Sequence, residues 1–129
     1  MTIELTYLFW SAVLAVVQLL VASAGTFGRI GLAKAVGNRD DLPAAFPGWV
    51  GRARRAHANL IENLVVFAIF LVAAHLAERN NDMTALGAAI FFWARLGFAA
   101  VYIAGIRWVR SILWFAGFIG MILVAVQLI

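Results

Sequence analysis

The sequence predicts an all-α integral membrane protein built as a four-transmembrane-helix bundle, and three observations carry that prediction. Of its 129 residues, 65% are hydrophobic and only 12% charged, against about 45–50% and about a quarter in a soluble domain. The apolar residues fall into four runs, each near the ~20 residues a helix needs to cross hydrocarbon. Apart from Arg95, the Lys and Arg residues flank those runs. Backbone groups in lipid must bond within their own segment, so the runs are helices. With no cysteine there is no disulfide framework, no thiolate metal site and no cysteine nucleophile. The net charge of +4 fits anchoring at the cytoplasmic face rather than nucleic-acid binding.

The first run covers Ile3–Ala24. Ala22-Ser23-Ala24 has the pattern of a signal-peptidase site, but no basic residue precedes the run. The stretch Leu5–Val21 is also longer than an h-region of about 7–15 residues, so the run reads as a permanent span. The connection Gly25–Val50 follows, where Gly25, Gly28, Gly31, Gly37, Pro43, Pro47 and Gly48 are expected to interrupt regular structure. Phe27, Ile30, Phe46 and Trp49 are interspersed, as in a packed cover, and a short helix is expected near Ile30–Val36. The remaining spans are placed at Arg52–Leu76, Met83–Gly105 and Arg110–Ile129. A polar turn, Glu78 to Asp82, joins the second to the third, and Ile106-Arg107-Trp108 joins the third to the fourth. Links this short imply antiparallel neighbours. No repeat or composition shift divides residues 1–129, which read as one domain.

Arg29, Lys34, Arg39, Arg52, Arg54 and Arg55 flank the long connection, and Arg107 and Arg110 flank the last link. The middle link has only Arg79. The positive-inside rule therefore puts the long connection and the last link in the cytoplasm, with both termini outside.

The polar residues within the spans are the candidates for chemistry, because ionisable groups inside a membrane are costly. Arg55, Asn59 and Glu62 stand at i, i+4 and i+7, one face of the second span, and Asn63 and Val66 continue it. On the third span Arg95, Phe98 and Tyr102 share a face. Glu62 and Arg95 both fall near mid-membrane, where opposite charges on adjacent helices are expected to meet. One reading is an ion pair that locks the helices and whose disruption costs about 3–5 kcal/mol. The favoured reading is a polar pocket, because apolar residues would hold the helices together as well. His57 points largely away from Arg55, and no second histidine or carboxylate gives it metal-ligand spacing. Most of the five Trp residues lie near span ends and read as interface anchors, and Gly117 and Gly120 form a close-packing face. There is no hydrolase triad, phosphate-cradling loop or zinc signature.

The run Arg52 to Asn63, with Arg55, His57, Asn59 and Glu62 followed by Phe67, resembles the second-helix signature of the MAPEG family, the membrane-associated proteins in eicosanoid and glutathione metabolism. Ala94-Arg95 with Phe98 and Tyr102 resembles its third-helix motif. Gly37-Asn38-Arg39 leading to Pro47-Gly48-Trp49 is similar to bacterial members. The resemblance covers essentially the whole chain. It implies a homotrimer in the bacterial inner membrane, with glutathione sites at subunit interfaces opening to the cytosol. Arg55, Asn59, Glu62, Arg95 and Tyr102 match positions that hold glutathione in catalytic members. An arginine after the third helix stabilises the thiolate there, and Arg107 and Arg110 are both candidates. Asn63 stands where the eukaryotic pattern has tyrosine, Val65 where it often has proline, and Phe98 replaces a tyrosine.

Two functions follow from the resemblance. One is a glutathione-dependent transferase or peroxidase acting on lipophilic electrophiles that arrive from the bilayer. The other is a non-catalytic lipid or small-molecule binding or scaffold protein of the same fold. A small proton-coupled exporter also has four spans and an intramembrane glutamate, but its dual insertion disagrees with the strong Lys/Arg bias.

Overall fold

The computed structural model describes residues 1–129 and is entirely helical. Helix α1 spans Ile3–Ile30, α2 Leu32–Val36, α3 Gly48–Leu76, α4 Asp82–Ala104 and α5 Trp108–Ala125, with a final 3₁₀ turn at Val126–Leu128. The four long helices are each apolar and long enough to cross a membrane, and the protein is a multi-pass integral membrane protein.

The first helix runs further than the sequence implies. Gly25 and Gly28 lie inside α1, which ends only at Gly31, where φ is +81°. Glycine costs a helix only about 1 kcal/mol, and tertiary packing offsets that at Gly25. The Trp49 ring lies over Gly25 so closely that an added Cβ would come within 2.7 Å of it. At about 1.5 Å per residue, the 28 residues of α1 and the 29 of α3 exceed a ~30 Å hydrocarbon core. The extra length is taken up by tilt or by projection beyond the apolar zone, and the end of α1 packs beside the start of α3, where Trp49 covers Gly25. Short helix α2 falls within the expected 30–36 stretch, and 37–47 is irregular.

Helix α4 begins with a capping box. Asn81 accepts from the Met83 and Thr84 amides at 2.8 and 3.0 Å, while its own amide donates to Thr84 Oγ1 at 2.8 Å. The Thr84 hydroxyl donates to buried Glu4 at 2.6 Å, which pins the start of α1 to the start of α4. Gly105 ends α4 in the left-handed conformation, φ +86° and ψ +19°. The antiparallel α4–α5 pair makes the most extensive contact in the chain. Gly87 and Gly120 allow it, since a Cβ on either would lie 2.5–2.6 Å from the carbonyl oxygen of the other.

The apolar core occupies the half of the bundle nearer the termini. It contains Leu14, Leu60, Phe67, Leu71, Phe91, Met121 and Val124, with the Phe67 and Phe91 rings stacked at 3.8 Å. Arg52, Arg55 and Asn59 of α3 and Arg95 and Tyr102 of α4 lie in the other half, toward the α4–α5 turn.

Candidate functional site

Two tethers set the register of α3 against α4. Arg52 Nε donates to the Ile103 carbonyl at 2.9 Å, satisfying a group near the C-terminal end of α4. One helical turn on, Arg55 Nε donates to the Tyr102 hydroxyl at 3.2 Å. A further turn brings Asn59 level with Arg95, whose Nη2 donates to Asn59 Oδ1 at 2.7 Å. Arg52, Arg55 and Asn59 of α3 thus meet Ile103, Tyr102 and Arg95 of α4 in reverse order, as antiparallel helices require, with the long arginine side chains taking up the unequal steps.

Arg95 is the largest fully buried side chain, only 2% exposed. Its guanidinium stands 4.2 Å from the Phe98 ring centroid, and Gly117 makes room for its methylenes, 3.4 Å from where a Cβ would stand. Burying this cation is tolerable because an amide oxygen and an aromatic face replace part of its hydration.

The expected Glu62–Arg95 pair does not form. The sole ion pair in the chain is Lys34–Asp41, and Glu62 is exposed. Helix geometry gives the reason. Glu62 is two residues beyond fully buried Leu60 and, at about 100° per residue, points to the opposite side of α3. Arg55 points nearly the same way and is exposed as well, but its longer side chain reaches back to Tyr102, while Asn59 is turned about 60° from Glu62 toward the buried edge.

A cavity of about 230 Å³ opens beside this row, lined by Asn59, Phe98, Tyr102, Arg110, Ser111, Trp114 and Phe115. The Arg110 guanidinium lies over the Tyr102 ring at 4.6 Å, and Arg55 approaches the same ring at 6.0 Å. Tyr102 packs edge-on against Phe98 at 5.3 Å. Arg107, by contrast, is exposed at the start of α5 and outside the cavity lining. Three arginines therefore converge on one tyrosine and one asparagine, leaving anion-binding donors along an aromatic wall. Of the sequence candidates, Arg55, Asn59, Arg95, Tyr102 and Arg110 come together, while Glu62 and Arg107 stand apart.

Ser111, Trp114 and Phe115 were not legible as part of this wall. Trp114 reads as an interface anchor by position along its span, yet it is half-buried, stacked on Phe118 at 5.6 Å and turned to the cavity. A second cavity, of about 250 Å³, lies between α1 and α3 and is lined by His57, Arg54, Arg39, Thr26 and Ser23 with Leu19, Ala22 and Phe27.

Searches against curated proteins and against solved structures gave no match. The model of the MAPEG family matches residues 7–129. That match takes in all four membrane helices except the first four residues of α1, and every residue of the arginine–tyrosine row, and the chain belongs to the MAPEG family.

Proposed function

We propose that the protein is a glutathione-dependent membrane transferase or peroxidase acting on lipophilic electrophiles, with its site at the seams of a homotrimer. The observation that carries this reading is the convergence of Arg55, Tyr102 and Arg110 at the rim of the Asn59 cavity. Glutathione carries two carboxylates, an ammonium, amides and a thiol. Guanidinium groups suit the carboxylates by bidentate pairing, and Asn59 suits the amides. Glutathione supplies a thiol that becomes a nucleophile on ionisation. Arg110, held over Tyr102, favours the charged form of a thiol placed beside it. Lowering its pKa by about two units corresponds to about 2.7 kcal/mol. Geometry favours Arg110 over Arg107 for this role, because only Arg110 lines the cavity. Arg95 then acts as a positioning residue, orienting Asn59 through their hydrogen bond.

The cavity of one chain, about 230 Å³, falls below the ~300–1,000 Å³ usual for small-molecule pockets. Glu62 is the natural partner for an ammonium, yet it lies beyond the rim on an exposed apolar stripe with Val65, Val66 and Ile69. A second copy packed along that stripe would enlarge the cavity and enclose the carboxylate, which supports a site shared between subunits. The Lys/Arg bias supports a site that faces the cytosol, with both termini outside, and the resemblance to bacterial members supports an inner-membrane location.

A non-catalytic lipid or small-molecule binding protein is favoured by one observation. Phe98 puts a bare ring into the wall where a hydroxyl is the family pattern, and Phe98, Trp114 and Phe115 make much of the lining apolar.

Glutathione binding and thiolate absorbance, measured on the detergent-solubilised oligomer, decide between the two. The enzyme reading expects saturable binding and a thiolate band that Arg110→Ala abolishes and Arg107→Ala leaves in place. Arg55→Ala and Glu62→Gln should each weaken binding about tenfold or more. No binding by the intact oligomer, with a copurifying lipid and no conjugating activity, would establish the non-catalytic reading instead.

A further inference from the structure

Two buried side chains in the interior of the bundle carry polar atoms with no hydrogen-bond partner in the protein. These atoms are Nε2 and Oε1 of Gln18 and Nε of Arg95. Gln18 is only 3% exposed, on the edge of α1 that also buries Ala15 and Ala22. Helix α1 packs against both α3 and α4. An amide left unpaired is costly in any apolar surroundings, and most of all within a membrane. Buried polar atoms in folded proteins are nearly always paired, either with protein or with ordered water.

The three atoms lie in one layer of the bundle. Val50 abuts Gly25, with its Cγ2 3.0 Å from where a Cβ would stand. Counting seven residues back along α1 and seven on along antiparallel α3 brings Gln18 level with His57. Asn59, which holds Arg95, is two residues further on, about 3 Å at 1.5 Å per residue. The buried residues of α3 around that level are Ala53, Ala56 and Leu60. The short alanine side chains leave room beside a long amide.

Exposure and chemistry together narrow what fills that room. None of the three atoms reaches the surface, so neither a lipid nor a second subunit can satisfy them. Gln18 presents both donors and an acceptor, while Arg95 Nε is a donor. An anion would serve the donors and leave Oε1 bare, and a metal cation would be repelled by the guanidinium. Water both donates and accepts, and a buried water typically makes about three hydrogen bonds. Arg95 also lacks a carboxylate partner, since Lys34–Asp41 is the sole ion pair. Water at Nε would replace a further part of its hydration.

We infer that the seam of α1, α3 and α4 holds an ordered internal water site, in which water pairs with the Gln18 amide and accepts from Arg95 Nε. The site lies inside a single subunit. It does not rest on glutathione chemistry, and its test contains none.

The test is a crystal structure of the wild-type full-length protein at a resolution that resolves ordered water. The expected result is water density about 2.7–3.2 Å from Gln18 Nε2, Gln18 Oε1 and Arg95 Nε. A dry amide overturns the inference, as does an amide turned onto a protein partner or an Arg95 Nε without water. Bromide soaking separates water from an anion, because an anomalous peak at the site overturns the inference in favour of a halide. An independent check is Gln18→Met, which keeps the length of the side chain and removes both polar groups. Removing a dry, unpaired amide should raise the thermal midpoint of the detergent-solubilised protein. Removing a hydrated one takes hydrogen bonds from the water and should lower it. The expected result is a fall of about 3 °C or more, and a midpoint unchanged or raised overturns the inference. The wild-type structure decides the matter if the variant does not fold.

Discussion

Asn59 and Glu62 sit three residues apart on α3, yet only Asn59 is tied into the bundle. Its side-chain oxygen takes the Arg95 guanidinium, and its backbone carbonyl accepts from Asn63 at 2.8 Å. Removing a hydrogen bond to a charged group costs about 1.5–3 kcal/mol, so Asn59→Ala should lower the thermal midpoint of the detergent-solubilised protein clearly. Glu62 has no partner within the chain, and surface substitutions of that kind stay within about ±0.5 kcal/mol. Glu62→Gln should therefore leave the midpoint nearly unchanged while weakening glutathione binding. A large loss of stability in Glu62→Gln would place the carboxylate in a structural role. This contrast separates a residue that builds the site from one that waits at its edge.

At the scale of elements, the α4–α5 hairpin sets the wall that carries Phe98, Tyr102, Arg110 and Trp114. The hairpin depends on the Gly87–Gly120 approach, where each glycine faces the other's backbone. Backbone cannot yield as a flexible side-chain end can. Gly120→Ala should consequently cost about 1–3 kcal/mol by overpacking, and it should also reduce ligand binding by moving Arg110 away from Tyr102. Unfolding in denaturant and ligand titration on the same variant check both effects. At the opposite end, Asn81 caps α4 and also donates from Nδ2 to Gln127 Oε1 at 2.8 Å. Asn81→Ala should cost about 0.5–2 kcal/mol while leaving ligand affinity unchanged, because it lies at the far end of α4 from the cavity. Loss of affinity in that variant would mean that the two ends are coupled.

For the whole molecule, orientation is testable because the chain contains no cysteine. Asn38 and Ala77 are both exposed, one in the long connection and the other at the end of α3. With both termini outside, an impermeant maleimide should label Ala77→Cys in intact cells and Asn38→Cys only after permeabilisation. The reverse pattern would invert the protein and expose the arginine–tyrosine row to the outside.

By itself the sequence determined the helical class, the four spans, the family resemblance and the residues worth watching. Those properties follow from local rules: hydrocarbon thickness, internal backbone bonding and helical spacing. It even placed Arg55, Asn59, Arg95 and Tyr102 on stripes that meet in the bundle. Tertiary structure alone decided how those stripes meet. Helical periodicity assigns a side chain to a face, but a face about 100° wide includes both a buried edge and an exposed one. Arg95 therefore found Asn59 rather than Glu62, and Arg110 rather than Arg107 reached the cavity. The same cause hid the role of Trp114 and the basic pocket around Arg39, Arg54 and His57. These residues are scattered along the chain, and only the contact of α1 with α3 and of α4 with α5 brings them to common walls.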